Sequence, residues 1–138
     1  MPARRKSSGE PVVLIVDDDV DARRMYGDYL RSKGWSVFTA PDGRNGIDKA
    51  NDVKPDAIVL DLSMPRVDGW TVLKHLRESS WTAHIPIVIV SAVHESRDEA
   101  LRTGADAYLA KPCAPDVVWI QLAALLRIKG QRSNVALS

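Results

Sequence analysis

The chain has 138 residues, with 19 basic and 18 acidic side chains and a formal net charge of +1. This length predicts one domain with its own core, and the charge balance implies neither polyanion binding nor an acidic tail. A single cysteine, Cys113, excludes an intramolecular disulfide framework and is typical of a reducing compartment. No apolar run is long enough to span a membrane and no hydrophobic segment follows the basic start, so we expect a cytoplasmic protein.

The first part of the chain predicts a disordered extension, a buried strand and a helix. Residues 1–10 are small, basic or turn-forming, which is typical of an extension without fixed structure. The aliphatic run Val12–Val16 predicts a buried parallel strand that ends in the three acids Asp17–Asp19. Apolar residues then recur at helical intervals from Val20 until Gly34. Because the helix begins directly after it, Asp19 is predicted to cap the helix rather than to bind a metal.

The rest of the chain continues to alternate between strand and helix patterns. The later strands are predicted at Trp35–Ala40, Ala57–Asp61, Ile85–Val90 and Ala107–Ala110. The later helices are predicted at Gly46–Asn51, Gly69–Glu78, Ser96–Thr103 and Asp116–Lys129. One domain is therefore expected over residues 11–129, followed by a loose C-terminal tail at residues 130–138. Because parallel strands joined by helices carry helices on both faces, the alternation predicts a doubly wound α/β sheet.

The third predicted strand ends in a carboxylate, Asp61. Ligands of open α/β sheets bind at the carboxyl ends of the strands, so we expect Asp61 to be presented at that edge. Pro65 blocks further strand pairing, and Asp68 with Gly69 supplies the turn and cap before the next helix. A lone Asp at a strand end is as often a simple cap, so its function depends on the residues that gather around it.

Five polar side chains follow the ends of predicted strands: Asp17, Asp18, Asp61, Ser91 and Lys111. Three neighbouring carboxylates are costly unless a cation lies among them or one takes up a proton. Their hard oxygen atoms, with no histidine or thiolate at ligand spacing, favour Mg²⁺. Such an ion usually neutralises phosphate oxygens, and Lys111 adds a second positive charge. The set predicts a magnesium site where Asp61 attacks a phosphoryl group.

Together these motifs resemble the receiver domain of two-component response regulators. The resemblance is carried by Val16-Asp17-Asp18, Asp61, Met64-Pro65, Asp68-Gly69, Val90-Ser91-Ala92, Gly104-Ala105-Asp106, Tyr108 and Lys111-Pro112. It extends over residues 11–128, and the ordered set is specific although each motif alone is weak. The resemblance implies a flavodoxin-like, five-stranded parallel sheet in the order 2-1-3-4-5 with five helices.

The resemblance also implies a role for each matching residue at the strand ends. Asp61 would accept a phosphoryl group from a sensor histidine kinase or a histidine phosphotransfer protein. Lys111 would bind that group and would pair with Asp61 at rest. Asp18 would bind Mg²⁺ directly and Asp17 through water, and the backbone carbonyl of Ser63 would complete the protein ligands.

By the same resemblance, Ser91 and Tyr108 would be switch residues, and the Lys111-Pro112 peptide would be cis. Phosphorylation would bias two arrangements of the fourth helix and fifth strand. Their surface, together with the last helix, would then bind a downstream protein or a second copy of the chain, but neither nucleic acid nor membrane. We expect a signalling receiver with no output domain in this chain, which is an enzyme only in its self-phosphorylation and autodephosphorylation.

Several simpler interpretations stand beside these roles. Ser91 could merely end a strand, Tyr108 could be a core residue, and Trp119 could either fill the core or form a contact face. His84 and His94 are predicted to be surface loop residues. Cys113 departs from the aromatic residue common in relatives. Where relatives tune hydrolysis of the phosphoryl group, the chain carries Ser63 and Val93, and because valine cannot orient an attacking water we expect slow hydrolysis.

Three other functions compete with the receiver hypothesis. A flavodoxin-like FMN protein would need a phosphate-binding loop after the first strand, where this chain has three acids. A haloacid dehalogenase-type aspartyl-phosphatase would need Thr or Val where Asp21 lies. A receiver-like module that binds partners without phosphorylation would be expected if the metal site were degenerate, yet all its expected residues are present.

Overall fold

The computed structural model describes residues 9–64, 67–92 and 96–137, with side chains up to residue 130. The strands are β1 (Val12–Val16), β2 (Ser36–Ala40), β3 (Ala57–Leu60), β4 (Ile87–Ser91) and β5 (Ala107–Ala110). The helices are α1 (Val20–Ser32), α2 (Gly43–Val53), α3 (Gly69–Glu78), α4 (Arg97–Thr103) and α5 (Pro115–Leu137). All strand pairs are parallel, and the sheet order is β2-β1-β3-β4-β5. The predicted doubly wound, flavodoxin-like fold is confirmed.

Alternation along the strands divides the core into two layers. On β1, Val13 and Ile15 pack with residues of α1 and α5, whereas Leu14 and Val16 pack with residues of α2, α3 and α4. This division follows from the pleat, since successive side chains of a strand point to opposite faces. Helices therefore cover both faces, and the central strands are apolar except for Ser91 at the end of β4, because both of their faces are buried.

Strand register brings the polar strand ends to one edge of the sheet. Val16 is paired with Leu60, and Ser91 with Ala110. The residue after Val16 is Asp17, the residue after Leu60 is Asp61, and the residue after Ala110 is Lys111. Asp17, Asp61 and Lys111, which were predicted to lie at the carboxyl edge, are therefore all found there.

Several elements begin or end at different residues than predicted. Helix α2 begins at Gly43 instead of Gly46, because the Asp42 side chain accepts a hydrogen bond from the Asn45 N–H and caps the helix there. Strand β4 begins at Ile87 instead of Ile85, whose N–H bonds to the Thr82 carbonyl within the preceding turn. Strand β3 ends at Leu60, so Asp61 lies just beyond the sheet.

Helix α5 is longer than predicted. It starts at Pro115, a position where proline is compatible with a helix because the first N–H groups have no partner within it. It continues to Leu137 instead of ending at Lys129, so residues 130–137 are helical where a loose tail was predicted. No proline interrupts these residues, and each residue added to an existing helix gains a hydrogen bond. None of the described helices is both long and apolar enough to cross a membrane.

Candidate functional site

Three carboxylates form a compact cluster at the carboxyl edge. One oxygen from each of Asp17, Asp18 and Asp61 lies within 4.8 Å of the others. Asp17 and Asp61 are buried, whereas Asp18 is exposed to solvent. The backbone positions two of them directly, since the Asp61 N–H donates to the Val16 carbonyl at 3.0 Å. Adjacent parallel strands thus bring together acids that are 44 residues apart in the chain.

The Asp17 carboxylate is fixed through both of its oxygens. Its Oδ1 accepts from the Asp19 N–H at 2.9 Å, and its Oδ2 accepts from the Lys111 Nζ at 2.8 Å. Its backbone carbonyl accepts from Nη1 of Arg23 at 2.7 Å. The contribution of Arg23 was not foreseen, because a side chain that binds a backbone carbonyl leaves no pattern in the sequence.

Asp19 does not belong to the metal-binding cluster. Its Oδ1 accepts a hydrogen bond from the Asp21 N–H at 3.0 Å, and it is the N-cap of α1. The prediction that Asp19 caps the helix is confirmed.

Asp61 lies at the centre of the site, and its backbone neighbours leave it little freedom. Its Oδ1 accepts from the Ser63 N–H at 3.0 Å, and its Oδ2 lies 3.5 Å from the Lys111 Nζ. On the other side, α3 begins at Gly69, where a Cβ atom would overlap the Asp61 carbonyl and the Leu62 Cα. Only glycine allows the start of α3 to approach the nucleophile candidate this closely.

Burial raises the pKa of the Asp61 carboxyl above its ordinary value, and the nearby Asp17 charge raises it further. The Ser63 N–H, the Lys111 charge and a hydrogen bond with the Ser91 side chain all lower it, but together they do not offset the burial. The carboxylate form of Asp61 is therefore less stable here than in water. A cation in the cluster would stabilise that form.

Lys111 bridges the two buried acids. Burial lowers the pKa of its ammonium, but the hydrogen bond and charge of Asp17, with the charge of Asp61, outweigh burial and leave the pKa raised. Its closest partner is Asp17 at 2.8 Å, and Asp61 is farther away at 3.5 Å. The pairing with Asp61 that the resemblance implied is thus present, but it is the weaker of the two.

The segment that carries Lys111 is anchored to the sheet and to α1. The Lys111-Pro112 peptide is cis, as expected from the resemblance. The Lys111 N–H donates to the Ser91 carbonyl at 2.9 Å. From α1, the Tyr26 hydroxyl donates to the Cys113 carbonyl at 2.9 Å. The helical spacing of apolar residues from Val20 to Gly34 predicts burial of residues such as Tyr26, but it does not predict this hydrogen bond.

The two predicted switch residues lie next to the site. Ser91 is fully buried at the end of β4, beside the acids. Tyr108 on β5 is half-buried, and its hydroxyl is enclosed without a hydrogen-bond partner among the described residues. Burial raises the pKa of Tyr108, and the charge of Asp61 adds to this.

The donor set of the cluster fits Mg²⁺. Carboxylate oxygens are the ligands that this ion prefers, and a site with few protein ligands leaves positions for water and phosphate oxygens. The Asp61 carboxyl, whose burial is only partly offset, is the kind of group that a cation would stabilise. The residues that would hold the ion are Asp17, Asp18 and Asp61.

Helix α5 presents apolar residues to solvent. Val117 and Ile120 are exposed, whereas Val118 and Leu122 are fully buried against the sheet. Trp119 packs edge-to-face on Tyr29 with the ring centroids 6.5 Å apart, and the Lys33 Nζ lies 4.4 Å from the Trp119 ring centre. Trp119 therefore contacts α1, and the exposed apolar residues of α5 lie elsewhere on the helix.

Pro65, Val93 and His94 lie outside the described residues. His84 is exposed, in agreement with the prediction of a surface loop residue. Met25, an apolar residue of α1, is exposed and lines the groove next to Lys111.

Comparison with known proteins identifies relatives of the chain. The family model described as "Response regulator receiver domain" matches residues 13–123. The DNA-binding dual master transcriptional regulator RpaA of Synechocystis is 38% identical over 119 residues, which are 85% of this chain and 49% of that protein. The chain spans about half the length of the curated relatives it matches.

Solved structures have the same fold. The receiver domain of the Francisella response regulator 1452 superposes with a TM-score of 0.81 at 32% identity, covering 87% of this chain and 99% of that one. The chemotaxis response regulator CheY4 of Vibrio cholerae gives a TM-score of 0.78 at 32% identity, covering 83% of this chain and 98% of that one.

Proposed function

The chain belongs to the response regulator receiver domain family, and on this premise we propose that it accepts a phosphoryl group on Asp61. Members of this family are signalling modules of two-component systems rather than classical enzymes, and they interact with histidine kinases or phosphotransfer proteins. The donor proposed here is a phosphohistidine on one of these partners. The receiver unit proposed for this chain comprises residues 11–129.

The observation that carries the proposal is the position of Asp61 between opposite charges. Its carboxylate lies within 3.5 Å of the Lys111 ammonium and shares a cluster with Asp17 and Asp18. Mg²⁺ bound by these acids would neutralise charge on the phosphoryl oxygens and on Asp61. Lys111 supplies a second positive charge from the side of β5.

In the proposed reaction, a carboxylate oxygen of Asp61 forms a bond to phosphorus as the phosphorus–nitrogen bond of the donor breaks. The electron pair of that bond returns to the imidazole nitrogen, which takes a proton from water. Lys111 stabilises the charge that spreads over the equatorial oxygens in the transition state. The Ser63 N–H holds the other Asp61 oxygen at 3.0 Å and so orients the attacking one.

The proposed signal is a shift between two arrangements of the residues behind the site. The Ser91 side chain would move from Asp61 to the phosphoryl group, since it already hydrogen-bonds to that carboxyl. Tyr108 would rotate, a change that costs its hydroxyl no hydrogen bond to the described residues. A coupling of about 1 to 3 kcal/mol is the usual scale for such a shift.

The surface formed by α4, β5 and α5 is the proposed place where this shift changes binding. Helix α5 carries the exposed apolar residues Val117 and Ile120, and an apolar contact needs such residues. The proposed occupant is a downstream protein or a second copy of the chain.

Intact mass measured after incubation with acetyl phosphate and Mg²⁺ tests the phosphorylation directly. We expect a gain of one phosphoryl group that disappears in Asp61→Asn and in the presence of a chelator. Asp19→Asn is the matched control, because it removes a neighbouring acid outside the cluster and asparagine still caps a helix. A mass gain that persists in Asp61→Asn would contradict the proposal.

A further inference from the structure

The segment that carries Lys111 borders solvent for most of its length. It follows β5, which is an edge strand of the sheet. Pro112 and Ala114 are exposed, and Lys111 and Cys113 are half-buried. A groove of about 660 Å³ separates this segment from the start of α1. The Lys111 N–H is already held by the Ser91 carbonyl at 2.9 Å, so the residues after Lys111 are the part of the segment that still needs a fixed contact.

The Tyr26 side chain lines that groove, and its hydroxyl links α1 to the segment that carries Lys111. It donates to the Cys113 carbonyl at 2.9 Å, two residues beyond Lys111, although the two partners are 87 residues apart in the chain. The Tyr26 ring is only 2% exposed and packs in the layer between α1, α5 and the sheet. This side chain is therefore a rigid support.

The helix that carries Tyr26 is itself fixed to the acidic cluster. Asp19 caps its first turn, and Arg23, one turn before Tyr26, holds the Asp17 carbonyl at 2.7 Å. One helix thus touches both sides of the pair that Asp17 and Lys111 form.

We propose that Tyr26 is a positioning residue for phosphoryl transfer, because its hydroxyl fixes the segment after β5 so that Lys111 reaches both Asp17 and Asp61. This inference rests on the proposed function of Asp61. The ring alone fills the core, and the hydroxyl serves the position of Lys111. The inference concerns the rate of phosphorylation and leaves Mg²⁺ binding to the acids unchanged.

Tyr26→Phe tests the inference, because it removes the hydroxyl and keeps the ring. With acetyl phosphate as donor and intact mass as readout, we expect phosphorylation to slow by about threefold to tenfold, the effect of one neutral hydrogen bond expressed in the transition state. The Mg²⁺ concentration that gives half of the maximal rate should not change. Tyr29→Phe is the matched control, since it removes a hydroxyl one turn later on the same helix, and it should phosphorylate like the unmodified chain.

A double-mutant cycle with Lys111→Ala separates positioning from a general loss of stability. When Lys111 is absent, Tyr26→Phe should have no further effect. Equal slowing with and without Lys111 would overturn the inference. If the Lys111→Ala chain reacts too slowly to follow, a rise in the half-saturating Mg²⁺ concentration of Tyr26→Phe would overturn it instead.

The remaining outcomes are also decisive. If the unmodified chain takes up no phosphoryl group, the proposed function fails. If the unmodified chain is phosphorylated and Tyr26→Phe reacts equally fast, only this inference fails. If Tyr26→Phe does not fold, the hydroxyl serves the fold rather than Lys111, and the inference is overturned.

Discussion

The two ends of the parallel strands, which form the amino edge and the carboxyl edge of the sheet, differ in how their charged side chains are paired. At the amino edge, the Arg77 guanidinium donates hydrogen bonds to the Asp106 carboxylate and to the backbone carbonyls of Gly104, Ala83 and Ile85. The Asp106 oxygen that pairs with Arg77 also accepts from the Ile87 N–H at 2.8 Å. At the carboxyl edge, the carboxylates of Asp17, Asp18 and Asp61 lie close together, and the Lys111 ammonium pairs with two of them, Asp17 and Asp61.

The difference shows which edge stabilises the fold and which edge is prepared for chemistry. A charge whose hydrogen bonds are satisfied within the protein holds elements together, and Arg77 joins α3 to the starts of β4 and β5. An acid that lacks sufficient positive charge destabilises the protein until a cation binds. Asp61 is such an acid, and its raised pKa follows from burial that its partners do not offset.

The largest effect is expected at the amino edge. Arg77→Ala should lower the free energy of unfolding by about 3 kcal/mol, because it removes four hydrogen bonds, two of them partly buried, that connect α3 to the segments before β4 and β5. Urea denaturation measures this change. Arg77→Lys keeps the charge but loses the planar set of N–H donors of the guanidinium, so its stability should lie between that of Arg77→Ala and that of the unmodified chain. An Arg77→Ala chain as stable as the unmodified one would remove the contrast between the edges.

Mg²⁺ should offset the destabilisation that the clustered carboxylates cause at the carboxyl edge. A ligand that binds only the folded state stabilises by about 2.7 kcal/mol at one hundred times its dissociation constant. We expect a rise in melting temperature for the unmodified chain and for Asp19→Asn, but not for Asp18→Asn. An equal rise in all three would place the ion elsewhere.

Asp61→Asn should stabilise the metal-free protein at neutral pH by about 1 to 2 kcal/mol, since it replaces an insufficiently paired acid with a neutral side chain. Because the folded pKa of Asp61 is raised above the unfolded value near 3.8, the stability that Asp61 contributes is present at low pH and is lost as pH rises through the folded pKa. The difference in the free energy of unfolding between Asp61→Asn and the unmodified chain should therefore grow as pH rises from the unfolded pKa of Asp61 through its folded pKa. Denaturation in a chelator at several pH values measures it, and a variant less stable at pH 7 would contradict the interpretation.

The smallest effect is expected for an uncharged bond near the amino edge. The buried Thr82 hydroxyl donates to the Leu76 carbonyl at 2.7 Å at the end of α3. Thr82→Val should cost about 1 kcal/mol and leave phosphorylation unchanged, because one neutral hydrogen bond is lost far from the acids. Slower phosphorylation of this variant would show that the two edges are not independent.

The same contrast explains what the sequence could predict. The carboxyl edge was predictable because apolar runs such as Val12–Val16 end directly in acids, and a parallel sheet gathers strand ends on one side. The contacts of Arg77 and Tyr26 were not predictable, since they join a side chain to backbone carbonyls 27 and 87 residues away. The end of α5 at Leu137 was missed because continuation of a helix needs no apolar pattern.

The most direct test of the account is to locate the phosphoryl group within the chain. Borohydride reduces an aspartyl phosphate to homoserine, and tandem mass spectrometry then identifies the modified residue. After treatment with acetyl phosphate and Mg²⁺, we expect homoserine at position 61 and at no other acid of the cluster. Homoserine at position 17 or 18, or a phosphorylated chain with an intact Asp61, would contradict it.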